Sequence, residues 1–150
     1  NIEEYLYDRA QNVLFNKGFS LDNKENTFSD SLNYQLDLSE LHDNAKSLFR
    51  TYIDQNLKQK INEFGSKYNV SAIMVLSCEV MVGTGGTWNS QTGAITSKNH
   101  RTILKGVLLS TFDCTRLWSN NLQLRELPKI GDSNFEKAIN TIFINLLLKK

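Results

Sequence analysis

The run Val70-Ser-Ala-Ile-Met-Val-Leu-Ser-Cys-Glu-Val-Met-Val82 constrains the fold more than any other segment. Its first half is apolar on both faces of an extended chain, and its second half exposes Ser77 and Glu79. That pattern predicts a central strand, covered throughout on one side and only partly on the other. A second strand is predicted from Arg101 to Phe112, through Ile103, Leu104, Val107, Leu108 and Leu109. Phe112-Asp-Cys-Thr-Arg116 then reads as a tight turn into a third strand, Leu117 to Leu124. The connections are too short for crossovers, so the three strands form an antiparallel meander.

Helical periodicity dominates elsewhere. Ile2, Leu6, Ala10, Val13 and Leu14 share one stripe of a helix over 2–17, which Asn1 and Glu4 could open and Gly18 closes. The polar stretch 23–31 predicts a loop, and the alternation of Leu32, Tyr34 and Leu36 predicts a short strand. Asp37 with Glu40 reads as a capping box for a long helix from Leu38 to Phe64, ended by Gly65 and Asn69. Pro128 and Gly131 break the chain. Ser133 with Glu136 then opens a final helix with Phe135, Ile139, Ile142, Phe143, Leu146 and Leu147 inward, and Lys149 and Lys150 at its end suit the helix dipole. The expectation is one domain over 1–150. Its class is an α/β (α+β) two-layer sandwich, a largely antiparallel or mixed sheet with three helices mainly on one face.

Composition bounds the function. The 150 residues carry 17 basic and 16 acidic side chains, 40% apolar residues and a net charge of +1. A chain of that kind folds, and it has no basic field for nucleic acid. The apolar run from Ile142 to Leu148 is interrupted by Asn145 and is too short to span a bilayer. Asn1-Ile-Glu-Glu4 carries no export signal, which implies a cytosolic protein or a mature fragment whose signal and anchor were removed. In a symmetric hairpin Cys78 falls opposite Gly106, which leaves Cys114 about 26 Å away at ~3.3 Å per residue. Two free thiols are expected.

Candidate chemistry is sparse. Gly83, Thr84, Gly85 and Gly86 follow a strand, but no Lys-Ser/Thr pair and no helix start follow them, as a phosphate-binding loop requires. Trp88, Asn89, Thr92 and Gly93 continue a hairpin connection far longer than the usual 2–5 residues. Two readings stay open for it: a contact loop presenting Trp88, or a structural loop folded over the sheet. His42 and His100 lack metal-ligand spacing, and Cys78 sits on an apolar face. Cys114 beside Arg116 is the more exposed thiol, and nothing in the sequence places a base next to it. Asp43, Asp54 and Glu63, interleaved with Lys46, Lys58 and Lys60, read as a solvated helix face. The reading therefore assigns no catalytic residue, no metal and no cofactor.

The helix ending Asn16-Lys-Gly-Phe19, the long second helix and the meander bearing Gly83-Thr-Gly-Gly-Thr-Trp88, Thr92-Gly93 and Leu117-Trp118 resemble mature bacterial envelope lipoproteins. The element order is similar, more loosely, to the periplasmic domain of the curli secretion lipoprotein and the N-terminal domain of TolB. The resemblance centres on residues 80–120. It implies a setting in the periplasm or in association with the outer membrane, in which such domains serve as non-enzymatic docking or structural modules of secretion and surface-assembly machines. Partners would be other envelope proteins or copies of itself, with any membrane contact through a removed anchor. On this expectation Gly83, Thr84, Gly85, Gly86, Trp88, Asn89, Thr92 and Gly93, together with a sheet edge, bind the partner. The alternative is a small-ligand-binding periplasmic domain with a pocket between the sheet and the Trp88 loop. A shallow hydrolytic site around Cys114 or His100 is the third class.

Overall fold

The structure is a computed structural model that describes residues 2–20, 32–82, 88–89, 94–95 and 100–146. The expected Asn1 cap, the 23–31 loop and the inward Leu147 with Lys149 and Lys150 lie outside the described residues. In chain order the elements are α1 (Ile2–Asn16), α2 (Leu32–Asp43), α3 (Ala45–Leu48) and α4 (Gln55–Tyr68), followed by β1 (Ala72–Val82), β2 (Trp88–Asn89) and β3 (Ala94–Ile95). The chain continues through β4 (His100–Ser110), β5 (Arg116–Leu124) and α5 (Ser133–Ile142). The class is α+β, with helices packed on a three-stranded antiparallel sheet of order β1-β4-β5.

The central strand is β4, not β1 as the sequence pattern suggested. Among the described residues β1 has strand neighbours on one side, and the segment expected to form a strand at Leu32–Leu36 belongs to helix α2. There the helical spacing governs: Tyr34 and Leu41 are buried while Leu32 and Leu36 are exposed. The Tyr34 ring lies 5.7 Å from that of Phe64 and meets Tyr68 edge-on at 5.0 Å. Burial of one tyrosine in an aromatic cluster decides between two periods that both fit the sequence.

The long helix expected over 38–64 is broken into α2, α3 and α4. Asn44 turns its amide back to the Glu40 carbonyl at 2.9 Å, and Arg116 Nη2 donates to the carbonyls of Phe49 and Arg50 at 3.1 and 2.6 Å. That guanidinium, arriving from β5, satisfies backbone oxygens that the end of α3 leaves unpaired. Asp54 restarts the helix by accepting from the Asn56 N–H at 2.9 Å. Asn69, left-handed at φ 55°, ends α4 as expected, whereas Gly65 lies inside the helix. A Cβ at 65 would collide with the Thr111 side chain, so that glycine lets α4 cross close over the end of β4. Likewise α5 is capped by Asp132, which accepts from Asn134 N–H at 2.8 Å, rather than by a Ser133–Glu136 box. Glu136 is engaged elsewhere, by Arg9 and Tyr5 of α1, each at 2.7 Å.

Two buried clusters lie on opposite faces of the sheet. Even-numbered Met74, Leu76, Leu104, Leu108 and Trp118 pack with Ala10 and Leu14 of α1 and Phe135, Ile139 and Phe143 from α5 and its end. Odd-numbered Ile73, Val75, Val107 and Leu109 pack with Tyr34, Leu48, Leu57, Ile61 and Phe64 of α2, α3 and α4. The described helices number five rather than three, and they cover both faces rather than mainly one. The cause is visible in β1 itself, whose first half is apolar on both sides and so requires two covers.

Candidate docking surface

The helices on the odd face reach only part of the sheet. Their cluster takes in Ile73, Val75, Val107 and Leu109 and leaves out Ser77, Glu79, Met81, Ile103, Lys105, Asn121 and Gln123. Cross-strand register sets Ser77 beside Lys105 and Asn121, and Glu79 beside Ile103 and Gln123. The result is a mixed, mostly polar sheet face with Lys105 Nζ 3.9 Å from Glu79 Oε2.

At the end of this uncovered half the chain leaves β1 through Val82 and returns at His100, which are partners across the ladder. The 83–99 connection is thus attached at that end. Within it Trp88 and Asn89 form β2, paired antiparallel with Ile95 and Ala94 of β3. Gly83, Thr84, Gly85, Gly86, Thr92 and Gly93 lie outside the described residues. The expected contact residues therefore divide: Trp88 and Asn89 stand on a two-stranded ribbon, and the glycines and threonines that flank it are not described.

The same end carries residues that sequence reading missed. The row Val80–Thr102–Leu124 crosses all three strands. The fully buried Thr102 hydroxyl donates to the Glu126 carbonyl at 2.5 Å, which ties the β5–α5 connection to the central strand. Val80 at 44% and Met81 at 55%, on opposite faces of β1, are exposed, as are Leu127 at 50% and Ile130 at 47% in the β5–α5 connection. The signal was present as Leu127-Pro-Lys-Ile130, an apolar pair in a turn-prone connection.

The other candidates are separated. His100 opens β4 and Cys114 lies past its far end, so with eleven residues in β4 the two backbones are roughly 30 Å or more apart at ~3.3 Å per residue. Cys78 is paired with Leu104, two positions from the expected Gly106, and both cysteines are free. Burial pushes both thiols above their ordinary range; at Cys114 the neighbouring Lys58 opposes that shift and Asp113 adds to it. Protonated thiols are poor nucleophiles near neutral pH. Trp118 packs under helix α5, stacked on Phe143 at 5.8 Å, and its buried Nε1 has no acceptor among the described residues. An open groove lies between β5 and α5, floored by Leu122, Leu124 and Ala138 and rimmed by Arg125 and Lys137, and the expected pocket under the Trp88 loop involves residues outside the described ones.

Among the described residues no group of three or more His, Cys, Asp or Glu side chains is placed to hold a metal, and no helix is long and apolar enough to cross a membrane. Comparison of the chain with protein-family models, with curated proteins and with solved structures gives no match.

Proposed function

We propose that this chain is a non-enzymatic docking module that binds partner proteins at the end of the sheet carrying the 83–98 loop and along the outer edge of β1. The observation that carries the reading is the exposure of Val80 and Met81 at the end of β1 from which the 83–98 loop departs, with Leu127 and Ile130 exposed in the connection that the buried Thr102–Glu126 bond ties to the neighbouring strand. Large apolar side chains left exposed at one end of a sheet are candidate contact residues. The outer edge of the eleven-residue β1, which has no strand partner among the described residues, adds backbone donors and acceptors to the same surface. The setting in a Gram-negative cell-envelope assembly, a secretion or surface-assembly machine, rests on the lipoprotein resemblance of residues 80–120.

The test is capture from envelope extracts on the full chain, on a variant with 83–98 replaced by an Asn-Gly turn, and on Met81→Asp/Leu127→Asp. All three are first matched for cooperative unfolding. A defined set of envelope proteins held by the full chain and lost from both variants is the expected result. Equal capture by all three, or none by the full chain, overturns the proposal.

A further inference from the structure

The two end strands of the sheet differ in how their outer edges are treated. Thr111 N–H donates to Ser71 carbonyl at 3.0 Å, one step beyond the Ala72–Ser110 pair. That bond fixes the phase of the ladder: odd-numbered residues of β1 exchange hydrogen bonds with β4, and even-numbered ones turn theirs away. Ala72, Met74, Leu76, Cys78, Val80 and Val82 thus aim their backbone N–H and C=O groups at an edge with no strand partner among the described residues.

The edge of β5 is blunted. In the same phase Asn121 turns its N–H outward, and Asn120 Oδ1 accepts it at 2.8 Å while Asn120 Nδ2 donates to the Ile142 carbonyl at 2.9 Å. A register shift interrupts the β4–β5 ladder between Leu108 and Leu109, and Arg116 and Arg125 flank the strand. β1 has none of these protections. Its register against β4 is unbroken from Ala72 to Val82, it contains no proline and no basic residue, and its single charge, Glu79, is engaged by Lys105 on its own sheet.

We infer that the outer edge of β1 pairs antiparallel with β1 of a second copy of this chain, about a two-fold axis at Ser77, joining two three-stranded sheets into one. This rests on the docking reading of the β1 edge and names its occupant. The strand is self-complementary in that register, which uses all eleven of its residues. Leu76 falls beside the partner's Cys78 and Met74 beside the partner's Val80, so the apolar face continues across the junction. Glu79 falls beside the partner's Val75, and the two Glu79 residues are four positions apart, roughly 13 Å at ~3.3 Å per residue. No like charges are opposed. The two Val82–His100 ends, from which the 83–99 connections depart, lie at opposite ends of the joined sheet.

Sedimentation of the full chain across micromolar concentrations is expected to show a monomer–dimer equilibrium. Val80→Pro removes an N–H that faces outward and leaves the β1–β4 ladder intact, so it is expected to shift the mass to the monomer. The register is read by oxidation in a Cys78→Ala/Cys114→Ala background. Ser77→Cys meets its own copy in a non-hydrogen-bonded pair with Cα atoms about 4.5 Å apart, within disulfide reach, whereas Glu79→Cys meets the partner's Val75. A covalent dimer from Ser77→Cys and none from Glu79→Cys is the expected result, and this pair decides the matter even if Val80→Pro fails to fold. A monomer at every concentration, or equal cross-linking at both positions, overturns the inference. Should the chain stay monomeric yet capture envelope proteins at its tip, the docking reading survives without the dimer. A dimer with no capture leaves the dimer standing alone.

Discussion

The Cη2–Cζ3 edge of the Trp118 ring occupies the space over Gly106: a Cβ built at 106 would stand 2.6 Å from Trp118 Cη2 and 2.7 Å from Cζ3. On the other side Trp118 stacks on Phe143 with an interplanar angle of 12°. The indole is therefore clamped between the central strand and the end of α5 and has nowhere to retreat. Gly106→Ala overpacks this site and is expected to cost about 1–3 kcal/mol, although alanine is otherwise the better strand residue. In a Trp118→Leu background the same change should be neutral or stabilising. Urea unfolding of the four proteins in a double-mutant cycle measures the coupling, and additive effects would contradict the contact.

The cap of α5 is assigned to Asp132 and not to Ser133. Asp132→Ala should lower stability by about 1 kcal/mol and Ser133→Ala by much less. Asp54→Ala, which removes the restart of α4, should cost a similar ~1 kcal/mol. Were 38–64 one continuous helix, position 54 would lie in its interior and alanine there would stabilise it. The midpoints of chemical denaturation separate the two outcomes.

Two carboxylates tie helix to helix on opposite faces. Glu136 is held below its ordinary 4.5 by hydrogen bonds from Tyr5 and then Arg9, and Asp37 below its ordinary 3.8 by hydrogen bonds from Tyr68 and then Lys67. A depressed carboxylate pKa adds stability that is fully present above the unfolded-state value and is lost as pH falls through the folded-state value. Stability should therefore hold above about pH 5 and decline below it. In Glu136→Gln and Asp37→Asn the acid decline should be shallower. Thermal midpoints between pH 7 and pH 3 test this, and an unchanged slope in both variants would count against these contacts.

Asn69 ends α4 at φ 55°, a conformation that a Cβ disfavours. Asn69→Gly should be neutral or slightly stabilising, and Asn69→Ala destabilising by ~1 kcal/mol. Thermal unfolding of the two variants beside the parent reads the difference directly. Equal effects of glycine and alanine would place the helix end elsewhere.

Local pattern determined much of this protein. The alternation and turn chemistry from Val70 to Leu124 specify an antiparallel meander, because such pairs are joined by short connections. The stripe from Ile2 to Leu14 and that from Phe135 to Ile142 specify helices with buried apolar residues, but α5 ends at Ile142, so Phe143 and Leu146, expected on the same helix, are buried in the turn beyond it. What the tertiary structure decided were matters that local pattern leaves degenerate. Leu32, Tyr34 and Leu36 satisfy a strand period and Tyr34 and Leu41 a helical one; the rings of Phe64 and Tyr68, some thirty residues away, select the helix. The apolar row from Leu41 to Leu57 fits one helix, yet a guanidinium from β5 completes the end of α3 and Asp54 begins another. β1 is an edge although its residues suit a centre, since apolar side chains report cover above and below a strand and say nothing of who lies beside it. That sideways neighbour is held by backbone hydrogen bonds, which every residue but proline offers alike, and so only the assembled sheet shows that β5 closes its edge through Asn120 while β1 has no second strand partner among the described residues.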